Sequence, residues 1–217
     1  GVTLNGTGSV VHDGAVTVTM NDVTANVPYA LTSSDTLTLA AGKTFTAGSG
    51  MTTNSTFFAP VTITGGGTLV IPTAQTLLFN SNDTQPLYLN NVTVNNAGTF
   101  QLNGTTGNNA VQLNSGAVFN NQLGGQILFS QPGNTFTTGA GVGTLNNSGT
   151  IAASGGANAL LAMGVFNAND GSIFAGGAGS VIRSAGSSAY NGDLTLSSAL
   201  RLTGGTQKTV PLRVLHA

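Results

Sequence analysis

A short motif returns along the whole chain: one or more Asn or Asp, then Gly, then a small residue and an apolar run. Clear copies stand at His12–Val16, Asn95–Phe100, Asn120–Ile127, Asn146–Ile151, Asn167–Ile173 and Asn191–Leu194, with degenerate ones at Ala41–Phe45 and Gly65–Leu69. With Gly14, Gly42, Gly67, Gly98, Gly125, Gly149, Gly171 and Gly192 as markers, the steps are 28, 25, 31, 27, 24, 22 and 21 residues. Such a period belongs to solenoids, in which one repeat is one coil and neighbouring coils bury each other's apolar side. A sandwich or barrel also has many short strands, but nothing in it makes its turns repeat one motif at one drifting period.

Within each unit apolar residues alternate, as in Val16–Met20, Leu37–Leu39, Val61–Ile63, Leu87–Leu89, Val92–Val94, Val111–Leu113 and Leu194–Leu196. A period of two marks strands with one buried face, and no segment holds a helical period over three turns. Coils stack about 4.8 Å apart, so equivalent side chains form columns. Asn at a corner tolerates left-handed backbone and can bond the Asn of the next coil, while outward Thr favours extended chain without charge. Stacked like charges would repel at every rung, which accounts for a chain with only five Lys and Arg and six Asp and Glu.

Thr is absent between Thr150 and Thr195, where Gly, Ala and Ser take over. The shorter steps there imply a narrower part of the same solenoid, with Leu160, Leu161, Val165, Phe166, Ile173, Phe174, Val181 and Ile182 as core; a flexible linker is the competing reading. Residues 201–217 read as a last coil, a capping strand or a junction to further chain. Hydrophobic residues at 40% and a mean hydropathy of +0.20 argue against disorder.

Composition also limits chemistry. A net charge of −1 with so few cations leaves little for phosphate backbones, so no nucleic-acid partner is expected. The chain has no Cys, and its two histidines, His12 and His216, lie at opposite ends, so no metal or cofactor site is expected. No apolar run reaches the roughly 18 residues of a membrane span.

The segments Thr62–Val70, Asn95–Gly104 and Asn146–Ile151 resemble the passenger regions of bacterial autotransporters and the haemagglutinin-like exoproteins of two-partner secretion. The resemblance lies in the style of repeat and covers most of the chain. It implies a right-handed β-helix exported to the cell surface, where such chains serve as adhesins, stalks or matrix components, and the lack of Cys agrees with it. The expected fold is therefore all-β: a right-handed parallel β-helix of about eight coils of 21–31 residues over 1–217, roughly 35–40 Å along its axis at ~4.8 Å per coil.

Asp170 and Asp193 should share a corner on adjacent coils, with Arg183 and Arg201 in the same two coils, yet each Asp reads first as a turn residue accepting backbone hydrogen bonds. Gly42-Lys43-Thr44 lacks the earlier glycine of a phosphate loop, Gly139–Gly143 the third glycine of a dinucleotide fingerprint, and Gly176–Ser180 the Asp of a calcium-binding repeat. Tyr29, Tyr88, Tyr190, Phe57 and Phe58 offer a sugar-stacking platform, against a core reading. Asn5, Asn54, Asn82, Asn91, Asn103 and Asn146 begin Asn-x-Ser/Thr sequons that so much Asn and Thr generates by chance. No catalytic residue is assigned and no enzyme is expected. The favoured function is a secreted structural solenoid, a stalk or adhesin segment or a filament subunit stacking end to end; the alternatives are a glycan- or surface-binding module and a polysaccharide-cleaving β-helix. The Thr spacing along the chain looks too irregular to favour the module, ice binding included.

Overall fold

The computed structural model describes residues 1–55, 59–81, 85–104, 110–154, 157–177, 180–197, 199–203 and 207–216, with backbone alone for 158 and 207–216. Every regular element among these is a strand, and the strands pair in parallel with their equivalents one coil away. The chain is a parallel β-helix with three faces.

The first face runs through Val2–Leu4, Val23–Ala25, Thr44–Thr46, Thr68–Ile71, Thr93–Asn96, Val118–Asn121 and Thr144–Asn147. The second runs through Val10–Val11, Tyr29–Leu31, Met51–Ser55, Thr76–Ser81, Thr99–Leu102, Gln126–Phe129, Thr150–Ala153 and Ser172–Gly176. The third contains Thr17–Met20, Thr36–Leu39, Val61–Thr64, Leu87–Asn90, Ala110–Asn114 and Thr135–Thr138. Seven coils thus open on a first-face strand of their own. Beyond them the ladder continues in longer strands, Asn158–Ala168, Val181–Leu196 and Gln207–His216, which run through corners that earlier coils turn sharply; Ala199–Thr203 extends the third face.

Alternation decides which side chains enter. On the first face Val23, Phe45, Leu69, Val94, Phe119, Leu145 and Phe166 form one inward column, all buried. Phe100, Phe119 and Phe136, one from each face, meet edge to face with centroids 5.0, 5.1 and 6.0 Å apart, the geometry the ring quadrupole favours.

The first-face column steps by 21, 22, 24, 25, 25, 26 and 21 residues, narrower than the 21–31 expected. The excess came from the markers. Gly98, Gly125 and Gly149 are equivalent, each leading into the second face, but Gly67 precedes the first face and Gly14 the third. All three corners use the same Gly and Asn turn chemistry, so the motif alone does not say which corner it marks. Positive φ occurs at all three corners, but between third and first face it recurs in six successive turns, at Asp22 (47°), Gly42 (70°), Gly66 (78°), Asn91 (47°), Ser115 (54°) and Gly141 (83°), a conformation that suits Gly and Asn.

The segment from 157 is solenoid and not linker. Leu161, Phe166, Phe174 and Ile182 are buried, whereas Leu160, Val165 and Val181 are half-buried and Ile173 is exposed. The expected core there was right at every other residue, because each apolar pair puts one side chain in and one out.

Candidate functional site

The corner between the first and second faces carries two parallel columns of asparagine. In the outer one Asn120 Nδ2 donates to Asn95 Oδ1 (2.9 Å), Asn146 to Asn120 (2.9 Å) and Asn167 to Asn146 (2.7 Å). In the inner, buried one Asn96 donates to Asn121 (2.8 Å) and Asn121 to Asn147 (2.7 Å), with further bonds from Asn96 to Gln126 O and from Asn121 to Thr150 O. Shorter ladders join Asn54, Asn80 and Asn103, and Asn90 with Asn114. Each amide has one donor and one acceptor side, so a column of them at one rung spacing satisfies both. Of the sequons, Asn54, Asn103 and Asn146 belong to these ladders, and Asn82 lies outside the described residues.

Three carboxylates, those of Asp22, Asp35 and Asp170, accept backbone N–H. Asp35, fully buried, accepts Val16 N–H (2.9 Å), Thr32 N–H (2.6 Å) and the Thr32 hydroxyl. Asp22 accepts Thr44 N–H and pairs with Lys43 at 2.9 Å, so Gly42-Lys43-Thr44 is a corner turn; the Lys43 hydrogen bond, then that of Thr44, holds the Asp22 carboxyl below the usual range. Asp170 and Asp193 do meet at one corner: Asp193 N–H donates to Asp170 Oδ1 at 2.9 Å. Asp83 lies outside the described residues, among which no three His, Asp or Glu side chains cluster as metal ligands.

The aromatic platform does not form. Tyr29 and Tyr190 are 1% and 2% exposed and belong to the core, Phe57 and Phe58 lie outside the described residues, and Tyr88 alone is half-buried on an outer face. Tyr29 Oη sits 2.5 Å from Nε2 of His12, and both side chains are buried. This His–Tyr contact was not foreseen, although His12 continues the inward alternation of Val10. Burial, then the Asp35 charge, pushes the Tyr29 phenol up to about 12. Burial also raises Tyr190, whose hydroxyl lies beside Ser184 and Ser188.

The folded state keeps Tyr29 protonated while the unfolded chain ionises near its ordinary pKa of 10. Stability is therefore expected to fall between pH 10 and about 12, by about 2–3 kcal/mol for this group. Urea unfolding at pH 9 and pH 11.5 tests this against Tyr29→Phe, and an equal loss in both proteins would refute it.

The third face carries outward Thr ladders, as the first face does at Thr44, Thr68 and Thr93. Thr17, Thr36 and Thr62 are register partners, as are Thr19, Thr38 and Thr64. Their spacing along the chain is irregular because coils differ in length, yet they align over these three rungs, and the next rung carries Tyr88 and Asn90 in their place. Further along the same face Arg183 and Arg201 are register partners on adjacent rungs, with Leu160 the partner of Arg183 on the other side. Two unit charges one rung apart repel by roughly 1 kcal/mol in water and about 3–4 kcal/mol at an effective dielectric of 20. They face away from the Asp170–Asp193 corner, so the four residues do not form one cluster.

Three-sided parallel coils, an apolar interior and amide and hydroxyl columns define the class: a parallel β-solenoid repeat protein. No family model, no curated protein and no solved structure matches the chain.

Proposed function

We propose that this chain is a structural segment of a secreted or surface-displayed protein, a stalk or adhesin segment or a filament subunit whose copies associate end to end. The observation that supports it is a parallel ladder from Val2–Leu4 to Gln207–His216 whose outer faces carry Thr and Asn columns and almost no charge. The repeat style shared with exported passenger regions supports surface display. A glycan- or surface-binding role is the second reading, favoured by the register-matched Thr columns of the third face.

Electron microscopy of the native material, with light scattering at low and high salt, tests the proposal. Rods or filaments whose association is insensitive to salt are expected, since backbone pairing and apolar packing would hold them. Compact monomers at high concentration would overturn end-to-end association.

A further inference from the structure

We infer that Arg183 and Arg201 together form a binding site for an oxyanion, a carboxylate or sulfate group. Four observations carry this. The two residues are Cα partners on adjacent rungs of the third face, which places their side chains about 4.8 Å apart at the root. Both point outward, since Ile182 and Ser184 on either side of Arg183 are buried and Arg201 shares its register. Neither forms a salt bridge among the described residues, where the one ion pair is Lys43–Asp22. Their surroundings are neutral: Val181 and Ala185 flank Arg183 along its strand, Ala199 and Thr203 flank Arg201, and Leu160 occupies the rung beyond.

Like charges directly opposite destabilise a sheet, and this chain avoids charge almost everywhere else. An oxyanion seated between the two planar forks reverses the sign of the interaction, because each guanidinium can donate two parallel N–H groups to oxygen. The inference stands apart from end-to-end stacking and gives the surface-binding reading a ligand chemistry: the same group could arrive as a free anion or on an acidic polysaccharide.

The test titrates the full chain with sodium sulfate, and separately with polygalacturonate, against chloride at equal ionic strength, following heat release and thermal midpoint. Sulfate is expected to bind and raise the midpoint, and Arg201→Gln to weaken its binding by about tenfold or more. Arg183→Lys keeps the charge but loses the fork, and should weaken binding as well. Because Arg201 is exposed, its variant reports even where Arg183 variants fold poorly. Lys43→Gln, which removes a cation elsewhere, should leave binding unchanged. Much tighter binding of polygalacturonate than of sulfate would assign a chain-borne carboxylate, and comparable binding a small anion. Absence of binding by both probes, or equal loss in the Lys43 and Arg201 variants, would overturn the site.

Discussion

Adding one methyl group at Gly125 is expected to destabilise the solenoid by at least about 3 kcal/mol, beyond the usual cost of overpacking. A Cβ there would stand within hard contact of the Asn96 carbonyl oxygen, 2.8 Å from Asn121 Oδ1 and 3.0 Å from Gln122 O. The Asn96 carbonyl cannot give way cheaply, since it accepts Gln122 N–H at 2.9 Å. Moving Gly125 instead strains the rungs on both sides, because Gln126 N–H bonds Gly98 O and Thr150 N–H bonds Gly125 O, each at 2.8 Å. Its equivalents Gly98 and Gly149 meet the carbonyls of Gln75 and of Gly125 in the same way. The neighbouring Gly124 is the control: it has φ of 83° but open space around its missing Cβ, so Gly124→Ala should cost only about 1–2 kcal/mol of left-handed strain. Thermal melts of the two variants by circular dichroism decide the matter, and equal midpoints would refute the packing argument.

Asn121→Ala is expected to cost about 3–5 kcal/mol, while Asn120→Ala, one residue away, should cost less than about 1 kcal/mol. Both residues sit in amide ladders with a partner on each side. The difference is water. Asn121 is 1% exposed, and its loss strands Asn147 Oδ1 and Thr150 O in a space that solvent does not reach. Asn120 is half-buried on the outer column, where water can replace the amide. At this chain length the inner variant should lower the melting midpoint by roughly 10 °C and the outer one by a few degrees. Similar shifts would show that the ladder acts as a surface feature on both columns.

Strand type, parallel stacking and coil length were legible in the chain because each has a local cause. Alternation at Leu37–Leu39 or Val61–Ile63 reports one buried face, and the return of Asn and Gly every twenty-odd residues reports a turn that must recur at each coil. The resemblance in repeat style pointed to the same fold class. Residues at 160–182 were read as core in pairs, since a run such as Leu160-Leu161 carries no mark of which member faces in; the register of Asn158–Ala168 with its neighbours settles that. Which corner each Gly marked, the alignment of the Thr columns and the stacking of Arg183 on Arg201 depend on summing coil lengths along the chain, and an error of one residue turns a side chain to the other face. Composition and period thus determined that this chain winds into a solenoid. Only the hydrogen-bonded register between coils decided which side chains stand above one another, because that depends on contacts between residues about twenty-five positions apart.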